Sequence, residues 1–152
     1  MKTFGIILLL TILFSACAQQ NAFERFNLSK TKELSEDTIQ SFKIKNGEKV
    51  DGIVNVVYLN KVLPNTYKKN EYFYVYYYVK DKNASVNFKL NAEASMLREK
   101  LSPENDFSYL TSFSAPWSKY YLLGFPQQGN TLNFKITTST GASATLKFIK
   151  DK

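Results

Sequence analysis

Tyr72-Phe73-Tyr74-Val75-Tyr76-Tyr77-Tyr78-Val79 is the stretch that decides the fold. Aromatic and β-branched residues favour a pleated backbone, and eight of them in succession read as a strand running through Lys80. Pleating sends Tyr72, Tyr74, Tyr76 and Tyr78 to one face and Phe73, Val75, Tyr77 and Val79 to the other. The second set suits a core. The four tyrosines, about 6.6–6.8 Å apart along the strand, form a candidate face for a ligand or partner. Two arrangements fit them: an open platform for sugar rings or a protein, or rings covered by a loop.

Working outward, short runs of period two recur between turn residues. On the N-terminal side Phe42 and Ile44 alternate with Lys43 and Lys45, and Asn46-Gly47 supplies a turn. Val50 to Leu59 has apolar residues on both faces, as a central strand does. Asn60 to Asn70, with Pro64 and three lysines, reads as loop. On the C-terminal side Asp81-Lys82-Asn83 turns the chain, and Val86, Phe88 and Leu90 alternate with Ser85, Asn87 and Lys89. A helix is expected next, with Asn91 as N-cap, Ala94, Leu97 and Leu101 on one face, and Pro103 as its end. Strands follow at Phe107–Phe113, Trp117–Phe125, Leu132–Thr138 and Thr145–Ile149. In the last pair Leu132, Phe134 and Ile136 should face Ala144, Leu146 and Phe148 across a hairpin. Trp117, Tyr120 and Tyr121 make a second aromatic cluster, with Trp117 expected as a core anchor. The pattern predicts a mainly β domain over residues 38–152: an antiparallel β-sandwich, immunoglobulin-like or transthyretin-like, of about 7–8 strands with one short helix.

The N-terminus has a different character. Lys2 precedes an apolar stretch, Phe4 to Phe14, followed by Ser15-Ala16-Cys17. A positive start, a hydrophobic run and small residues at its end make a secretory signal peptide over residues 1–16. The run, about 11 residues, falls short of the roughly 20 that a transmembrane helix needs. Phe14-Ser15-Ala16-Cys17 resembles the lipobox of bacterial lipoproteins. That resemblance implies cleavage before Cys17 and attachment of lipid to its thiol. The overlapping Ala16-Cys17-Ala18 is an A-x-A-like site whose cleavage would release a soluble protein beginning at Gln19. Cys17 is the chain's single cysteine and falls where a lipobox needs it. Stable anchoring takes two or more acyl chains, at about 0.8 kcal/mol per buried methylene. In enteric-type lipoproteins an Asp after the cysteine favours the inner membrane, so Ala18 implies the outer one. Residues 17–37 are polar and read as a lipidated tether.

Composition narrows the chemistry. The chain has no histidine, and its one cysteine is committed or removed. The commonest general base and the zinc sites built on Cys or His are therefore missing. The acids weighed for catalysis, Asp51, Asp81, Glu104 and Asp106, mostly lie in turns, and no glycine-rich phosphate loop follows a strand. No catalytic residue, metal site or cofactor is expected. Asp81 and Asn83 offer oxygen ligands to calcium, but a tight turn explains them better. Asp81-Lys82-Asn83-Ala84-Ser85 also resembles the extended acceptor for bacterial N-glycosylation at Asn83. The net charge of +7 is spread over scattered lysines, with no motif for nucleic acid. The sequence thus points to a non-enzymatic envelope lipoprotein held to the membrane through Cys17, whose domain binds an envelope protein in an assembly or accessory role. The alternative is a glycan- or peptidoglycan-binding module using the tyrosine face.

Overall fold

The computed structural model describes residues 38–111 and 114–150. Cys17, the signal peptide of residues 1–16 and the tether of residues 17–37 lie outside the described residues. The strands are β1 (Ile39–Asn46), β2 (Lys49–Tyr58), β3 (Glu71–Val79), β4 (Val86–Leu90), β5 (Glu93–Ala94), β6 (Leu97–Leu101), β7 (Lys119–Phe125), β8 (Thr131–Thr138) and β9 (Ser143–Ile149). Two single-turn helices, α1 (Leu59–Val62) and α2 (Ser108–Thr111), interrupt them. No helix among the described residues is long and apolar enough to cross a membrane.

All nine strands join one antiparallel sheet in the order β5-β4-β8-β9-β1-β2-β3-β7-β6. The strands at its two ends, β5 and β6, are consecutive in the chain with only Ser95 and Met96 between them. A flat sheet of nine strands separates its edges by far more than two residues can span, at about 4.8 Å per strand. The sheet must therefore curl until its ends almost meet. Two separately paired sheets, as in a sandwich, are replaced by one sheet folded over its own core.

The inner face carries that core. Phe73 on β3 lies 5.1 Å from Phe134 on β8, and Phe88 on β4 lies 5.8 Å from both Tyr77 and Tyr121. Rings from opposite walls thus pack against each other at centroid distances favourable for aromatic pairs. Fully burying such an apolar side chain contributes about 1.5–3 kcal/mol relative to leaving it exposed. Arg98 on the edge strand β6 lays its guanidinium over Phe88 and Tyr121, 5.2 and 5.0 Å from their centroids. It covers the core where the sheet's two ends approach. The β8–β9 hairpin has the expected facing pairs, Leu132 with Phe148, Phe134 with Leu146 and Ile136 with Ala144. β1 and β9 are matched at Lys45 and Ser143 alone. Beyond that point the Gln40 side-chain amide donates to the Lys147 carbonyl at 2.6 Å, so a side chain replaces part of the ladder.

The expected helix at Asn91–Leu101 is instead a hairpin and an edge strand. Leu90 pairs with Glu93, leaving Asn91 and Ala92 as a two-residue loop with φ of 47° and 74°. Positive φ at both positions is the type I′ pattern, whose twist matches that of the flanking strands. Asn91 is no N-cap. Its side chain accepts from the Asn133 backbone N–H at 2.9 Å and donates to the Thr131 carbonyl at 2.9 Å, pinning the loop to β8. Hydrogen bonds to a neighbouring strand outweigh weak helical spacing. A second correction concerns the strand expected at Phe107–Phe113. Its described part begins in a turn and continues as α2.

Candidate functional site

The four tyrosines share one face of β3, as pleating requires, and that is the outer face of the curled sheet. Most of it is covered. Tyr74 is fully buried and Tyr76 is 7% exposed, inside an outer cluster with Val57, Leu59, Phe107 and Tyr120. The stretch 59–69 covers one side. There the Asn60 side-chain Oδ1 accepts from the Tyr72 backbone N–H at 2.8 Å, and Tyr67 packs 4.9 Å from Tyr72. Residues 102–111 and 114–118 cover the other. Phe107 lies 5.2 Å from Tyr74, and the Ala115 N–H donates to the Tyr120 hydroxyl at 2.7 Å. Tyr76 and Tyr120 stack at 5.9 Å between them. Burial raises the phenol pKa values of Tyr74 and Tyr76 above the ordinary range, because the charged form would lose its water.

The row emerges from its cover at Tyr78, which is 37% exposed. Its partner across the β2–β3 ladder is Ile53, 46% exposed. On the cleft side of Tyr78 lies Trp117. The expected core anchor is in fact 66% exposed, because Tyr120, three residues on, takes the buried position and its hydroxyl holds the loop by Ala115. Tyr78 and Trp117 line a cleft of about 430 Å³ together with Pro103 and Pro116. Lys82, Lys100 and Lys119 complete its rim, and no acid is among the residues lining it. Of the four face residues proposed from the sequence, Tyr78 alone belongs to an open site, and Trp117 joins it.

A second polar constellation was missed among the acids weighed for catalysis. Glu71, the first residue of β3, is 2% exposed. Its Oε2 accepts from the Tyr58 hydroxyl at 2.6 Å, and its Oε1 accepts from the Gln128 N–H at 2.9 Å and from Lys150 Nζ. Lys150 also donates to the Gln128 carbonyl at 2.6 Å. Burial first, and then the bond to Glu71, push the Tyr58 phenol far above its ordinary pKa. Every carboxylate oxygen is satisfied, so the group ties β2, β3, the 126–130 connection and the end of β9 together. It adjoins an open cleft of about 490 Å³ lined also by Asn60, Lys61 and Tyr67. The signal available in the sequence was a lone acid opening an aromatic strand.

Asp81 and Asn83 form a turn: the Asn83 N–H donates to Asp81 Oδ1 at 2.9 Å and the Ala84 N–H to the Asp81 carbonyl at 3.1 Å. Among the described residues no group of three or more acidic, histidine or cysteine side chains is placed to hold a metal ion. Asn83 is exposed. No family model, curated protein or solved structure matches the chain, in keeping with a sequence in which no domain family is recognised.

Proposed function

We propose that the chain is a non-enzymatic envelope lipoprotein, held to the membrane by lipid on Cys17, whose curled β domain docks a protein partner in an assembly or accessory role. The carrying observation is that Tyr78 and Trp117, which line one cleft, and Ile53, the cross-strand partner of Tyr78, stay exposed while Tyr74, Tyr76 and Tyr120 are buried. Leaving a tryptophan, a tyrosine and an isoleucine in water together forgoes several kcal/mol of burial, and exposed apolar clusters of this kind mark interaction surfaces. Aromatic anchors are also the residues that dominate protein interfaces. The facing halves of the curled sheet serve here as the two layers of a sandwich, a likeness of architecture to immunoglobulin-like and transthyretin-like domains that carries no function by itself.

The glycan reading loses two of its rings, since Tyr74 and Tyr76 are under cover, and would rest on Tyr78 and Trp117. Ile53 favours the protein partner, because an aliphatic side chain offers no stacking surface to a sugar. Location is tested by fractionating cells that express the wild type and Cys17→Ala, with mass spectrometry of the mature N-terminus. The lipoprotein reading expects a diacylated Cys17 in the outer-membrane fraction and its loss in the variant. A free Gln19 terminus in the wild type overturns it.

A further inference from the structure

We propose that the Tyr78–Trp117 cleft binds an acidic segment of a protein partner: an apolar anchor residue seated between the rings and prolines, with flanking carboxylates reaching Lys82, Lys100 and Lys119. This deepens the docking reading above and rests on it. Three features argue for it together. The first is shape: about 430 Å³ bounded by Pro103, Pro116, Trp117 and Tyr78 suits one or two side chains rather than a broad flat surface.

The second is charge. Three ammonium groups come from three separate elements: the turn after β3, the end of β6 and the start of β7. Lys82 and Lys100 are exposed, and Lys119 reaches toward the Lys82 carbonyl at 3.5 Å. No carboxylate is among the lining residues, whereas the other cleft lined by three lysines, Lys61, Lys68 and Lys150, contains Glu71; the excess of positive charge within the lining favours an anionic occupant. Like charges brought together by folding cost energy, and an anionic occupant removes that cost. The third is the mixture of surfaces. Acidic glycans satisfy the lysines and stack on Trp117, but the exposed Ile53 beside Tyr78 adds an aliphatic border that a peptide side chain covers and a sugar does not.

The test uses the full chain in detergent micelles and three fluorescent probes read by anisotropy. They are an acidic dodecapeptide with one central tryptophan, the same peptide with lysine at every acidic position, and polygalacturonate. The acidic peptide is expected to bind, the lysine peptide not to, and added salt to weaken binding as exposed charges are screened. Lys82→Glu with Lys100→Glu and Lys119→Glu should weaken it at least about tenfold, and Trp117→Ala by a similar factor. Thermal melts establish that each variant is folded, and Lys→Gln versions, which alter surface charge least, should give an intermediate loss. Equal binding of the lysine peptide overturns the charge argument. Lysine-dependent binding of polygalacturonate without the acidic peptide overturns the protein segment but keeps the cleft as a docking site. If no probe binds, the acidic segment is refuted. If a photoreactive residue at position 117 also yields no more cross-linked product in cells than one at position 145, the docking reading falls with it.

Discussion

Replacing Glu71 by alanine removes the acceptor of the Tyr58 hydroxyl and the Gln128 N–H and the counter-charge of the Lys150 ammonium, which keeps only the Gln128 carbonyl. The Lys150 side chain is 20% exposed, so water reaches it in part, whereas Tyr58 is buried in the core. Breaking one half of a buried ion pair costs about 3–5 kcal/mol, most of it from the charge left behind. For a domain of this size each kcal/mol lowers the melting temperature by about 3–5 °C. The expected fall is therefore about 10–20 °C, read by circular dichroism at neutral pH. Lys150→Met alone strands Glu71, which is the more deeply buried partner, and should cost at least as much. The double variant Glu71→Met with Lys150→Met removes both charges and should recover most of the loss, because a buried pair replaced by apolar groups is often neutral or better. A positive coupling of about 1.5 kcal/mol or more in that cycle is expected. A Glu71→Ala melting point within about 4 °C of wild type, or additive single effects, refutes the view that this carboxylate is a buried tie.

Gly52 lies on β2 where a Cβ would collide with the main-chain carbonyl of Tyr78; backbone cannot yield as a side-chain tip does, so Gly52→Ala should destabilise by about 3 kcal/mol or more, seen as a lower urea midpoint. Ala92 occupies φ of 74°, where an alanine is strained and glycine is not, so Ala92→Gly should stabilise by about 0.5–1 kcal/mol in the same assay. Burial holds the phenols of Tyr58, Tyr74, Tyr76 and Tyr77 protonated above their ordinary pKa of 10. The unfolded chain then releases protons first, so their contribution is complete below pH 10 and declines above it by about 1.4 kcal/mol per pH unit per phenol. Phenolate absorbance should rise together with unfolding; a full rise near pH 10 with the fold intact contradicts the burial.

Strand identity was legible where residues alternate cleanly. Phe134 and Leu146 face each other as their spacing says, and Phe73 and Tyr77 point inward from the stretch that opened the reading. The sheet's closure was not, because nothing local says that β5 and β6 end up at opposite ends of it. Asn91 to Leu101 misled for a physical reason: Ala94, Leu97 and Leu101 recur at intervals that fit a helix, while the type I′ loop carries Ala92 in place of the usual glycine. The cover over the tyrosines was equally hidden. Leu59, Leu63, Tyr67 and Phe107 are sparse among polar residues, yet they join the cluster that holds the buried Tyr74. Within the second aromatic cluster Tyr120 rather than Trp117 is the buried ring, because periodicity marks a strand face without saying which ring a loop will reach.

The strand order also governs how the molecule can be made. β1, β2 and β3 are neighbours in both chain and sheet, so this wall can assemble as soon as it is synthesised. β4 has no such recourse: besides the two-residue β5, it pairs with β8, which begins 41 positions after β4 ends. Until Thr131 onward exists, β4 has no long strand beside it, and of the rings around Phe88 only Tyr77 and Tyr121 are present, without Phe134. The inner face of β3 waits on the same event, since Phe134 and Phe148 fill the space beside Phe73. A nascent chain is thus sticky over much of its length and becomes self-contained only when its final hairpin arrives. Loss of that hairpin would remove the second half of the core, so chains truncated before Thr131 should depend on chaperones or be degraded.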